Sequence, residues 1–262
     1  MKKHFYYFLI LLFLACDKST QEDKNVREPT SVKTHITEVS EDKKKKNELI
    51  KPIEHGSFVL QLNNKKIYVD PMGNSMIYAE EKPADIIVVT HYHPDYLVPG
   101  AIESLLDKNT KVIVPASVQK ILPVDLKEKA QVLKPDQEIT IADIKFKSLG
   151  FSAENKPDVQ ENGFLISDQN QKILITGENQ FLSEIPMIKY LDILLFRMNL
   201  ENQGDLNKNI EELLKLNPKQ IYPYYYEGIF TYNYAAKLKR RIEEKNSTIE
   251  VKVLNWYKDR LH

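Results

Sequence analysis

Two short apolar runs, Ser57-Phe58-Val59-Leu60-Gln61-Leu62 and Lys65-Lys66-Ile67-Tyr68-Val69-Asp70, flank the pair Asn63-Asn64. Asparagine tolerates the left-handed backbone of a tight turn, so this pattern predicts a β-hairpin. The unbroken apolar run from Asp85 to Thr90 predicts a buried strand, followed by a helix near Gly100 to Leu106 and a strand over Lys111 to Pro115. A short helix near Ser117 to Leu122 comes next, then strands near Gln131 to Leu133, Glu138 to Ile141 and Ile144 to Leu149. Asn162 to Ser167 and Lys172 to Thr176 read as a second hairpin across Asp168-Gln169-Asn170. The polar stretch Gly150 to Glu161 has no periodicity and reads as an exposed loop near the sheet ends. In the last third, strand and helix alternate: strand Asp192 to Phe196, helix Leu206 to Leu216, strand Gln220 to Tyr224, helix Tyr232 to Glu244, strand Ile249 to Trp256. Hairpins that feed βα units predict an α/β fold, two mixed β-sheets flanked by helices in an αββα sandwich.

The pattern has a different character before about residue 50. Residues 17–50 are polar and charged, with the run Lys43-Lys44-Lys45-Lys46, and cannot bury enough apolar surface to offset ordering entropy. They read as a flexible charged tether, and residues 51–262 as the folded domain. The lysines suit either plain solvation or contact with anionic lipid headgroups. Ahead of the tether lies Met1-Lys2-Lys3-His4, then the apolar run Phe5 to Ala15, then Cys16. A basic start and a short apolar core describe a secretory signal over residues 1–16, too short to span a bilayer. Cys16 after Leu14-Ala15 resembles the bacterial lipobox, which implies lipidation at Cys16 and an anchor at the membrane of the bacterial cell envelope.

Bulk composition narrows the partners. Lys+Arg and Asp+Glu both number 37 in 262 residues, and phosphate backbones call for clustered excess cation, so no nucleic acid is expected. With one cysteine there is no intrachain disulfide and no cysteine-rich zinc site.

Candidate chemistry sits after the Asp85 to Thr90 run, in Thr90-His91-Tyr92-His93-Pro94-Asp95-Tyr96-Leu97. Imidazole and carboxylate at this spacing suit zinc, iron or manganese. Together with His55-Gly56-Ser57-Phe58, Val69-Asp70-Pro71, Ile173-Leu174-Ile175-Thr176-Gly177-Glu178 and Tyr222-Pro223-Tyr224-Tyr225, the segment resembles the metallo-β-lactamase fold. The likeness is to its metal-dependent hydrolase branch, which includes lactonase-like and phosphodiesterase-type enzymes. The resemblance implies two metal positions. The first would take His91 and His93 plus a third histidine from a loop near Phe151-Ser152-Ala153, where this chain has none. The second would take Asp95 and two histidines at positions held here by Tyr96 and Tyr225, with the bridging aspartate replaced by Glu178.

Two functions follow. The eroded dinuclear site is non-catalytic, or repurposed to bind a small molecule or an envelope protein. Alternatively, His91, His93 and Glu178 hold a single zinc or iron ion, with Asp95 as ligand or catalytic base, and hydrolyse a phosphodiester or lactone. The cofactor is accordingly one such ion or none. His55 suits either the rim of the site or a structural place in the first hairpin. The tyrosines from Tyr222 to Tyr226 suit either a pocket wall or strand packing beneath a helix.

Overall fold

The computed structural model describes residues 48–79, 81, 83–92, 98–153, 156–177, 185–198, 206–225 and 228–256, with the backbone alone for 151–153, 156–162 and 228–232. The signal, the tether up to residue 47 and Cys16 lie outside the described residues.

Six strands form the first sheet in the order of the chain: β1 (Ile50–Glu54), β2 (Ser57–Leu62), β3 (Lys65–Val69), β4 (Ile86–Val88), β5 (Lys111–Val114) and β6 (Ala130–Val132). The second sheet contains β7 (Glu138–Ile141), β8 (Ile144–Ala153), β9 (Lys156–Ser167), β10 (Lys172–Ile175), β11 (Ile193–Arg197), β12 (Gln220–Tyr224) and β13 (Glu250–Val251), also in chain order. Hairpins build one part of each sheet and parallel crossovers the other. β1 to β3 are antiparallel and β3 to β6 parallel, while β7 to β10 are antiparallel and β10 to β13 parallel.

Side-chain alternation along each strand sorts residues between two cores. In the first sheet, Phe58, Leu60, Ile67, Val69, Ile86, Val88 and Ile113 join the larger core, together with Phe146, Phe164, Ile166 and Ile173 of the second sheet. Their sequence neighbours Val59, Tyr68, Ile87, Val112 and Val114 join a second core with Ala101, Ile102, Val118 and Leu126. Those last four belong to the helices α1 (Pro99–Ser104), α2 (Ala116–Ile121) and α3 (Val124–Lys129), which cover the outer face. On the other side α4 (Leu206–Leu216) contributes Ile210, Leu213 and Leu216, and α5 (Gly228–Lys245) contributes Ala235, Leu238 and Ile242, at the three- and four-residue spacing of a helical stripe. The expected αββα sandwich is what forms.

The Asn63-Asn64 turn is as expected, with φ of 48° and 58° joining β2 to β3. Three expectations are corrected. Gly150 to Glu161 is not a loop: β8 and β9 continue the ladder through Gly150↔Asn162, Phe151↔Glu161 and Ser152↔Gln160. Apolar pairs such as Phe146↔Ile166 set the register, and backbone hydrogen bonding carries on into the polar part. The first strand, β1, was not expected and starts at Ile50, inside the stretch read as tether; Pro52 is tolerated there because β1 is an edge strand, where a missing N–H costs no ladder bond. Finally, only Glu250–Val251 of the expected last strand pairs, against Gln220 and Ile221.

Phe58 is fully buried and meets Tyr224 and Trp256 edge-on, with ring centroids 5.8 and 5.9 Å away. It therefore ties the first sheet to the end of β12. Truncation of such a side chain leaves a cavity, so Phe58→Ala is expected to lower unfolding free energy by about 3–5 kcal/mol in a urea titration. A loss under about 1 kcal/mol would show that this junction collapses without cost.

Candidate functional site

The polar groups of the site follow the C-terminal ends of parallel strands in both sheets: Asp70 after β3, Thr90 and His91 after β4, Thr176 and Gly177 after β10, Arg197 at the end of β11, Tyr224 and Tyr225 at the end of β12. Strands covered on both faces can present polar side chains only where they end, which is where ligands meet sheets of this kind.

Asp70 anchors the first-sheet half. Its backbone takes a positive φ of 45°, and its N–H donates to the Val88 carbonyl at 2.9 Å, which turns the carboxylate toward β4. There it accepts the Thr90 N–H at 2.6 Å and the Thr90 hydroxyl at 2.7 Å. The same hydroxyl lies 2.7 Å from His91 Nδ1, and Asp70 Oδ2 lies 4.0 Å from that nitrogen. With its one proton committed to Asp70, the Thr90 hydroxyl accepts from His91, so Nδ1 carries the ring hydrogen. Any coordination by His91 then has to use Nε2, the arrangement expected of a metal-binding imidazole whose other nitrogen is held by a supporting group. Burial pushes the Asp70 carboxyl above the ordinary carboxylate range, and His91, the Thr90 hydrogen bonds and the charge of Arg197 oppose that rise.

The second-sheet half is built around a buried cation. Arg197 closes the run Ile193-Leu194-Leu195-Phe196, and its side chain is buried. Its N–H donates to Thr176 Oγ1 at 3.2 Å, while Met198 N–H donates to the Tyr224 carbonyl at 2.9 Å. The guanidinium lies 4.0 Å from the centre of the Tyr225 ring, a close cation–π contact. Tyr225 holds a left-handed φ of 61°, uncommon for a bulky residue and costing on the order of 1–3 kcal/mol. Gly56 makes room for the ring, since a Cβ there would stand 2.8 Å from Tyr225 Cδ2. The Tyr224 hydroxyl donates to the Gly177 carbonyl at 3.1 Å, and burial together with the Asp70 charge raises its pKa against the pull of Arg197.

Of the expected site residues, His91 and Tyr225 are described and border this cluster; His93, Asp95, Tyr96 and Glu178 lie outside the described residues. Among the described residues no three His, Cys, Asp or Glu side chains are grouped to hold a metal. His55 takes its structural place in the β1–β2 turn, with φ of 52°, next to Gly56 and so beside the site as well. Tyr222 and Tyr224 are packing residues of β12, both buried. Asp70, Thr90 and Arg197 were not foreseen as site residues. A charge closing the run Leu194-Leu195-Phe196 was the available signal for Arg197, because a cation is left in such a place only with a partner or a use.

A family model described as a beta-lactamase superfamily domain matches residues 49–225, most of the chain. The chain belongs to that superfamily. Its fold is the metallo-β-lactamase fold, and the family match ends on Tyr225. A protein described as a metal-dependent hydrolase from Parabacteroides distasonis is 26% identical, with a TM-score of 0.64, covering 78% of this chain and 91% of that one. A metallo hydrolase from the hyperthermophilic archaeon Ignicoccus hospitalis has a TM-score of 0.62 at 15% identity, covering 79% and 94%. CmlA, a diiron β-hydroxylase from Streptomyces venezuelae, has a TM-score of 0.58 at 13% identity, covering 78% and 52%. No curated protein matches the sequence. The metallo-β-lactamase family is metal-dependent, which makes the ligand positions the question for this member. At Tyr225 the groups present do not suit a metal ion: the ring is a phenol, and a guanidinium lies on its face.

Burial raises the phenols of Tyr68, Tyr78 and Tyr224 above the ordinary value of 10.0. In the unfolded chain they ionise near that value, while the folded chain keeps them neutral. Stability is therefore fully present below pH 10 and falls as pH climbs past it, by up to about 1.4 kcal/mol per pH unit for each tyrosine. Denaturant titrations at stepped alkaline pH are expected to show this decline, with phenolate absorbance from these three rings appearing only on unfolding. Flat stability above pH 10 would contradict the burial argument.

Proposed function

We propose that the chain is a cell-envelope lipoprotein whose metallo-β-lactamase-fold domain binds a small molecule or an envelope partner without hydrolysing it. The observation that carries this reading is the Arg197 guanidinium on the Tyr225 ring, 4.0 Å from its centre, at a position where the family's second metal takes a histidine. A fixed cation there repels a divalent ion, and a phenol with pKa near 10 must lose its proton before it ligates well. Tyr96, the second imidazole position replaced by tyrosine, supports the same reading from sequence. The half-buried Tyr225 ring at the end of β12 would be the group that stacks on such a ligand and offers it a hydroxyl. The signal-like segment ending at Cys16 supports the envelope location.

One observation favours a second reading, a hydrolase with one metal ion. The Asp70–Thr90–His91 chain orients the imidazole as a ligand would need, and the relative at 26% identity is described as a metal-dependent hydrolase. His91, His93 and Glu178 would hold such an ion, and its chemistry would be the activation of water beside Asp95.

Elemental analysis of protein purified with zinc, iron and manganese present separates the two. The binding reading expects below about 0.1 equivalent of metal and no turnover of generic phosphodiesters or lactones. A stoichiometric ion lost on His91→Ala, with turnover lost alongside it, would sink that reading in favour of the hydrolase. For the anchor, Cys16→Ser is expected to move the protein from the membrane fraction to the soluble fraction on cell fractionation. Unchanged membrane partition would remove the lipoprotein assignment.

A further inference from the structure

Arg197 supplies what a second metal ion would bring to this cleft, which is positive charge. We propose that Arg197, seated on Tyr225, replaces the second metal as the cation facing the Asp70 carboxylate, so that no second ion is held there. The inference rests on the reading of Tyr225 as a substituted ligand position, and it holds whether the first position binds an ion or not.

Three features support it. First, Arg197 is not a surface cation that happens to bend inward. Its side chain is 6% exposed, and its backbone is fixed by pairing with Tyr224 across β11 and β12 and by the Thr176 hydroxyl on the other side. A buried guanidinium needs a compensating partner; this one lies on the Tyr225 ring face, and its charge is also felt, weakly, at the buried Asp70 carboxyl. Second, the contact with Tyr225 is built rather than incidental. A left-handed backbone at Tyr225 and a glycine at 56 with no room for a Cβ hold the ring where the guanidinium meets its face. Third, the exchange makes chemical sense. An ion that needs imidazole ligands gives way to a covalently attached cation that needs none, and the phenol at Tyr225 offers that guanidinium an aromatic face.

Restoring the ligands tests whether the arginine is what keeps the metal out. Tyr96→His with Tyr225→His puts back both imidazoles, and the same pair is made again with Arg197→Met added. Each protein is saturated with zinc, desalted and its metal counted. The ligand-restored pair with Arg197 intact is expected to hold no more zinc than the unaltered chain, and adding Arg197→Met is expected to raise the count by about one ion per chain. A pair that gains an ion while Arg197 is intact overturns the proposal, as does a triple variant that gains none. Should the triple variant fail to fold, the His91→Ala variant still decides. Its melting temperature is expected to stay within about 1 °C after chelation, while Arg197→Met on the same background lowers it by about 6 °C or more. A chelator-sensitive His91→Ala protein, or an Arg197→Met loss below about 2 °C, overturns it. A metal ion removed by His91→Ala, with hydrolysis, would instead defeat the non-catalytic reading and leave the role of Arg197 standing.

Discussion

The central parallel strands β4, β5, β10 and β11 are covered on both faces, by the opposite sheet on the inside and by helices on the outside. A polar side chain in mid-strand would therefore be buried without water, and the apolar runs of β4, β5, β10 and β11 contain none before their ends. Function is confined to the few residues where parallel strands stop. Asp70, Thr90, His91, Thr176, Arg197, Tyr224 and Tyr225 all occupy such positions. The aromatic junction of Phe58, Tyr224 and Trp256 brings the two sets of strand ends into one frame, with Trp256 donating from its indole to the Pro223 carbonyl at 3.0 Å.

The two halves of the site then tell different stories. On the first sheet, Asp70, Thr90 and His91 form a hydrogen-bonded chain that holds an imidazole in one tautomer, as a metal site requires. On the second sheet, a buried guanidinium lies on the face of a phenol ring.

Much of the architecture was legible along the chain, because periodicity speaks directly about burial. Phe58 and Leu60 face one core and Val59 the other, and that alternation can be read without coordinates. The Asn63-Asn64 turn was legible for a local reason, the left-handed backbone that asparagine accepts. The polar arms of β8 and β9 were not legible, since their pairing is inherited from apolar residues further along the hairpin. Nor was β1, where Pro52 is acceptable only because nothing pairs on its outer side. The histidine motif announced the family, and the family match over residues 49–225 agrees on that point. The gap-filling cation was harder to see. Arg197 lies 28 residues before Tyr225 in sequence, and only the parallel pairing of β11 with β12 places them side by side.

The central claim is that a protein cation, not a metal ion, holds the second position. Anomalous diffraction at the zinc edge from zinc-soaked crystals of the unaltered chain tests it most directly. The account predicts no anomalous peak at coordination distance, about 2 Å, from the Tyr225 hydroxyl, with the Arg197 guanidinium still on the ring. A zinc peak at that distance, with the guanidinium displaced from Tyr225, would contradict it.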